Sequence, residues 1–174
     1  MIRIASYNIR KARGLDQRRL PERTLEVINS LSADVVVLQE ADKRLGVRQP
    51  AVSRRLIESE TDFDLVDVSA NGISIGNAVL VRKGVGVRAA KGLTLPGLEP
   101  RGAVHLTLDI GAGLSVVGAH LGLRRKDRLA QLHAINAATQ EAGNCVIAGD
   151  FNEWSATKGF EPWAGRFALH SPGR

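Results

Sequence analysis

Short runs rich in β-branched residues alternate along this chain with stretches whose apolar positions repeat every three to four residues, and that alternation predicts an α/β domain. Ile2 to Tyr7 and Val35 to Gln39 predict strands. Between them Pro21 to Leu31 predicts a helix, with Pro at its first position and Leu25, Ile28 and Leu31 on one face. A second helix is expected from about Val52 to Glu60. Strands are expected at Asn77 to Val81, Val85 to Ala89, Val104 to Ile110 and Leu114 to His120. The turns Lys83-Gly84 and Gly111-Ala112-Gly113 divide them, which predicts antiparallel pairs. A helix from about Lys126 to Glu141, stopped at Gly143-Asn144, leads into a last strand at Cys145. No repeat, low-complexity tract or linker breaks the pattern, so residues 1–174 are read as a single domain.

Four of the apolar runs end on a polar group suited to a metal or a phosphate. Ile2 to Ile4 runs into Ser6-Tyr7-Asn8, Val35 to Leu38 into Gln39-Glu40, Leu114 to Ala119 into His120, and Cys145 to Ala148 into Gly149-Asp150-Phe151-Asn152. A strand that stops on such a group places it at the rim of a core, and charged residues are seldom fully buried without a partner or a metal. Side chains at i and i+2 share a face, so Glu40 is expected at the end of the row Val36, Leu38. By the same rule Asp150 and Asn152 form a two-oxygen claw, with Phe151 anchored on the other side. Carboxylate and amide oxygens suit magnesium, which retains water and substrate oxygens in its shell. Zinc would need clustered Cys and His, and one Cys with four scattered His does not supply that. Read alone, Asn8 starts a turn more often than it ligates and His120 is equally a core histidine, while a salt-bridged strand end for Glu40 and an Asx turn for Asp150-Phe151-Asn152 are the lesser alternatives.

Ser-Tyr-Asn-Ile at 6–9, Leu-Gln-Glu at 38–40, Ala-His-Leu at 119–121 and Gly-Asp-Phe-Asn at 149–152 resemble, in order, the signature blocks of the endonuclease/exonuclease/phosphatase superfamily. Arg128-Leu129-Ala130-Gln131 resembles the helix that follows the His block. The resemblance implies a four-layered α/β sandwich of two packed mixed sheets flanked by helices. It also implies a magnesium site, open to manganese, on Glu40 and Asn8, and hydrolysis of phosphodiesters or phosphomonoesters. Asp150 is then expected to orient the attacking water, Asn152 to help bind the phosphate or metal, and His120 to contact the phosphoryl oxygens. Asn77, in Gly76-Asn77-Ala78, resembles a block that contacts the phosphate region, and is equally a turn amide. The family's Ser-Asp-His block has no counterpart here, since Leu169-His170-Ser171 does not form it. The fold is therefore expected to be C-terminally incomplete, with a free sheet edge prone to pairing as a homodimer and with weak turnover.

A net charge of +6 favours polyanions. The cations cluster beside the proposed rim: Arg10, Lys11, Arg13, Arg18 and Arg19 after Asn8, and Arg124, Arg125, Lys126 and Arg128 after His120. Arginine matches phosphate bidentately, so Arg10 and Arg124 are expected to bind substrate. Arg101, ahead of the strand at Val104, is expected to face the site. Any one of these charges, read alone, is a solvated surface residue. Aromatic residues are few, so a single-stranded nucleic-acid platform is not indicated. His105 and His133 lack a partner pattern and read as structural. No run reaches the roughly 18 apolar residues of a membrane span, and Met1-Ile2-Arg3 opens directly into a strand rather than a signal peptide. A single Cys fits a reducing, cytoplasmic setting. The expected function is metal-dependent phosphoester hydrolysis, with DNA as the leading substrate. Phospholipid or small phosphoester hydrolysis is the alternative, as is a non-catalytic phosphate-binding domain.

Overall fold

The computed structural model describes residues 1–43, 49–69, 72–155 and 158–171. One sheet comprises β1 (Ile4–Asn8), β2 (Val35–Gln39), β3 (Phe63–Leu65) and β4 (Ala78–Arg82), in the order β1-β2-β4-β3. The other comprises β5 (Val87–Leu95), β6 (Arg101–Leu108), β7 (Leu114–His120) and β8 (Asn144–Asp150), in that order. Two pairs are parallel, β1 with β2 and β7 with β8, and all the others are antiparallel. Each parallel pair is bridged by a helix, as parallel strands require. The bridge is α1 (Pro21–Ser30) for the first pair and α3 (Arg125–Ala138) for the second, while α2 (Arg54–Glu60) precedes β3.

Strand alternation generates the layers. Val35 and Val37 of β2, Val79 and Val81 of β4, Val104 and Leu106 of β6 and Val116 of β7 meet between the sheets. Val36, Leu38 and Leu80 face the other way, onto Leu25 and Ile28 of α1 and Ile57 of α2. Ala103, Val117 and Ala119 pack outward against Leu132 and Ile135 of α3, with Trp163 beside them. The result is four layers, helix, sheet, sheet, helix, and three apolar contacts between them. β-branched residues fill the middle contact because both sheets bury that face. The sheets pack closely at Gly118, where an added Cβ would lie 2.5 Å from Val37 Cγ1.

The strands at Val35–Gln39 and Leu114–His120 lie where their apolar runs predict them. The turn at Gly111-Ala112-Gly113 joins the antiparallel pair β6 and β7. Lys83-Gly84 does not make a hairpin, contrary to expectation, because β4 and β5 belong to different sheets. The chain reverses there, with Val85 N–H donating to Arg82 O, and crosses to β6, where Asp109 N–H donates to Gly86 O. β5 runs on to Leu95, well past Ala89, although most of its side chains are exposed and give no alternation to read. β3 is too short to leave a periodic signal.

Cys145, on β8, packs into the outer cluster with Ile147 and Phe151. Burial pushes its thiol pKa up to about 11 from 9.0. Native protein at pH 8 should therefore react with iodoacetamide about a hundred-fold more slowly than urea-unfolded protein, following the thiolate fraction. Because the folded value is the higher, this thiol supports the fold fully below pH 9 and loses that contribution as pH rises toward 11. Labelling at equal native and unfolded rates would contradict the placement of Cys145.

Candidate functional site

The two parallel pairs end at the same edge of the sandwich. Asn8 closes β1 in register with Gln39 of β2, and His120 closes β7 in register with Asp150 of β8. Asn8 Nδ2 donates to Asp150 Oδ2 at 3.0 Å and so ties one sheet to the other. His120 Nε2 lies 3.8 Å from the same carboxylate oxygen. Asp150 Oδ1 accepts the Asn152 N–H at 3.1 Å, and Asn152 Nδ2 donates to Leu121 O at 2.8 Å. Asn8, His120, Asp150 and Asn152, far apart in the chain, thus form one connected cluster. Behind it Gln39 is buried, with Oε1 accepting from Ser6 Oγ and Nε2 donating to Val37 O.

Asp150 and Asn152 do not project side by side as strand alternation predicts. Asn152 has φ +49, a left-handed conformation that asparagine tolerates, and the segment closes as an Asx turn. Phe151 is anchored as expected, edge-on to Phe160 and Trp163. Glu40 also departs from its predicted row. Val36 and Leu38 face the helix layer, but Glu40 has φ +52, so alternation stops at Gln39 and the chain turns. Lys11 N–H donates to Glu40 O at 3.0 Å, and Lys11 Nζ lies 3.6 Å from Glu40 Oε2.

The segment that wraps Glu40 is itself unusual. Arg10, Lys11 and Ala12 have φ of +48, +60 and +59, a run of left-handed residues costing on the order of 1–2 kcal/mol each. Burial of Ile9 and Ala12 and the bonds Ala12 N–H to Ile9 O and Lys11 N–H to Glu40 O hold it in place. Asn8 Oδ1 accepts the Arg10 N–H at 3.1 Å, which leaves the Arg10 side chain exposed beside the rim.

Three of the expected substrate contacts lie outside the bonded cluster. Asn77 is fully buried, and its amide donates to the carbonyls of Ser74, Ile75 and Gly102, the last at 2.7 Å. It braces the turn before β4 against β6, and its Oδ1 is buried without a hydrogen-bond partner among the described residues. Arg101 opens β6 at the same sheet end as His120, but it shares the face of Ala103, toward α3, and its Nη2 donates to Glu99 at 3.0 Å. Its Nε is buried without a partner among the described residues. Arg124 precedes α3 and lines a surface groove of about 420 Å³ with Leu98, Glu99, Pro100, Leu123 and Asp127. That groove lies beside the cluster rather than within it. His105 bonds Ser115 Oγ at 3.3 Å, and burial, then Lys91, lowers its pKa.

Sequence reasoning did not single out the pair Arg128–Glu153, whose nearly buried side chains meet at 2.8 Å. Glu153 Oε1 accepts the N–H groups of Trp154 and Ser155. The Ser155 N–H, followed by Arg128, holds its carboxyl below the usual carboxylate range. A charged residue three positions after an Asp, with an Arg in the preceding helix, carries no periodic signal, and only the fold brings the two together.

Comparison with known proteins agrees with this architecture. A family model for the endonuclease/exonuclease/phosphatase family matches residues 5–174. No curated protein matches the chain. Among solved structures, an endonuclease/exonuclease/phosphatase from Bacteroides vulgatus superposes with a TM-score of 0.68 at 18% identity, covering 92% of this chain and 69% of that one. D. rerio TDP2 complexed with single strand DNA product gives a TM-score of 0.67 at 23% identity, with 89% and 62% covered. An endonuclease/exonuclease/phosphatase from Beutenbergia cavernae DSM 12333 gives 0.61 at 21% identity, with 88% and 48% covered. The chain thus spans about half to two thirds of the length of most of these structures. Fold, block order and family match coincide, and the chain belongs to the endonuclease/exonuclease/phosphatase family.

Proposed function

We propose that this protein is a divalent-metal-dependent phosphoesterase whose substrate is a nucleic-acid phosphodiester. The observation that carries the reading is the bonded cluster Asn8–Asp150–His120 at the edge shared by both sheets, with Glu40 closing the neighbouring strand. Among the described residues no group of three or more His, Cys, Asp or Glu gathers, so there is no closed cage of the zinc kind. The donors are hard oxygens, the Glu40 carboxylate and the Asn8 carbonyl. One carboxylate plus an amide, completed by water and phosphate, suits magnesium. The Lys11 ammonium, 3.6 Å from Glu40 Oε2, supports the reading of Glu40 as a carboxylate open to a cation. Glu40 and Asn8 would hold the ion, which when bound supplies Lewis-acid polarisation of a phosphoryl oxygen and charge neutralisation on the leaving oxygen.

The chain's own groups do the rest. The Asp150 carboxylate is fixed by the Asn8 amide on one oxygen and the Asn152 N–H on the other, so it is aimed to orient a water and accept its proton. His120, largely buried in register with Asp150, would donate to a non-bridging phosphoryl oxygen. Asn152 has one amide proton on Leu121 O, and the other would be its donor to substrate. The exposed Arg10 and Arg124 attract the flanking phosphates. The net charge of +6 and the likeness to a fold seen with a single-stranded DNA product support nucleic acid over a phospholipid head group or a small phosphoester.

The test offers the purified chain three substrates with magnesium: a labelled oligonucleotide, a choline phospholipid in micelles and p-nitrophenyl phosphate. The oligonucleotide should be cleaved, and chelation should abolish the cleavage. Cleavage that survives chelation would overturn the metal reading, and preference for either other substrate would overturn the nucleic-acid reading.

A further inference from the structure

The two tryptophans of this chain have opposite fates. Trp163 is 2% exposed inside the outer core, and Trp154 is 92% exposed. Trp154 takes no part in the ring contacts that join Phe151, Phe160, Trp163 and Phe167. It stands two residues beyond Asn152, on the segment that leaves the proposed phosphate site.

An exposed indole on a loose loop would mean little, but this backbone is clamped. The Trp154 N–H donates to Glu153 Oε1 at 2.9 Å and the Ser155 N–H to the same oxygen at 3.0 Å. Glu153 Oε2 accepts from Arg128 Nη2 at 2.8 Å. Gly159, at φ +91, passes so close that an added Cβ would lie 2.1 Å from Glu153 Oε2. The other end of the same guanidinium donates from Nη1 to Leu123 O at 2.6 Å. Leu123, 69% exposed, is three residues past His120. One nearly buried arginine therefore fixes both loops that leave the site, and each loop holds an apolar side chain out into water.

We propose that Trp154 is a stacking subsite for a nucleobase next to the phosphate bound at Asn8, His120 and Asp150, with Leu123 as the opposite lip. This rests on the phosphodiesterase reading above and deepens it, because it requires an unstacked base and so a single-stranded or frayed substrate. A solvent-facing indole on a clamped backbone lowers the ordering cost of a stack and offers a face that any base can use. One indole makes one stack and not an extended platform, consistent with the scarcity of aromatic residues. The surroundings favour a base over a lipid surface. Arg124 follows Leu123 directly and α3 opens on Arg125-Lys126-Asp127-Arg128, so no amphipathic helix presents an apolar face beside the indole.

The experiment measures binding with metal chelated, so that it is independent of turnover. Fluorescence anisotropy compares wild type, Trp154→Ala and Trp154→Phe on a short single-stranded oligonucleotide and on the same oligonucleotide abasic at all but the labelled end. Trp154→Ala should weaken binding of the base-bearing strand about ten-fold or more, the scale of one base–aromatic stack, and leave the abasic strand unchanged, while Trp154→Phe recovers most of the loss. Equal affinities for wild type and Trp154→Ala would overturn the subsite, and so would an equal loss on both strands. Loss of binding to phosphatidylserine vesicles alone would overturn it in favour of a lipid surface. Intact stacking without metal-dependent cleavage would instead count against the phosphodiesterase reading, so the two failures are distinguishable.

Discussion

Gly149→Ala is expected to cost the protein its cooperative fold. Gly149 stands at φ +155 in register with Ala119, and a Cβ built there would lie 1.8 Å from Ala119 O, 2.8 Å from Ala119 C and 3.1 Å from Ala119 N. All three obstacles are backbone, so no side-chain rotation relieves the clash and β7 and β8 must move apart. The penalty should reach about 4 kcal/mol or more, the range reserved for core disruption, against a total stability of roughly 5–15 kcal/mol. The next register pair is His120 with Asp150, so any chain that still folds should have that pair displaced. Urea unfolding followed by circular dichroism checks the prediction. A midpoint close to that of wild type would show that the close approach of the two strands is not as described.

Asp150→Asn is expected to remove turnover while sparing the fold. The substitution deletes the proton acceptor, and general-base contributions are typically on the order of 10²–10⁴-fold in rate. It also introduces an NH₂ group where both carboxylate oxygens now accept. Whichever way the new amide turns, it sets donor against donor, at Asn8 Nδ2 or at the Asn152 N–H. The structural cost is about one hydrogen bond, on the order of 1 kcal/mol, at a partly exposed position. Steady-state cleavage of the oligonucleotide should therefore fall at least a hundred-fold while the melting temperature moves by a few degrees. A loss in rate of less than ten-fold would remove Asp150 from the role of base.

The convergence of Asn8, His120 and Asp150 was legible in the sequence because each terminates an apolar run, and the parallel pair in each mixed sheet brings such strand ends to one edge. The runs before Asn8, His120 and Asp150 put these groups at strand ends, while their expected roles came from the order of the resembling blocks. Where local backbone broke the alternation, the sequence misled. Glu40 and Asn152 both adopt positive φ, so counting by twos assigned Glu40 to the row of Val36 and Leu38 and made Asp150 and Asn152 parallel prongs. Asn77 was expected at the phosphate from its resembling block and Arg101 from its place ahead of the strand at Val104, whereas the approach of β6 to the turn before β4 buries Asn77, and Arg101 is buried beside Glu99. The clamp Arg128–Glu153 and the outward Trp154 were invisible for a different reason. Both depend on how the loop after β8 meets the start of α3, and no periodicity encodes a contact between loops.

The central claim is that Glu40 and Asn8, at the ends of two neighbouring strands, hold the divalent ion that serves the Asp150–His120 cluster. Its most direct test is a crystal soaked in manganese, with anomalous data collected for wild type and for Glu40→Gln. An anomalous peak is expected within about 2.5 Å of a Glu40 carboxylate oxygen in the wild type, the oxygen-ligand range for such cations, and should be lost in the variant. A wild-type crystal with no peak at Glu40, or a peak that persists there in Glu40→Gln, would contradict it.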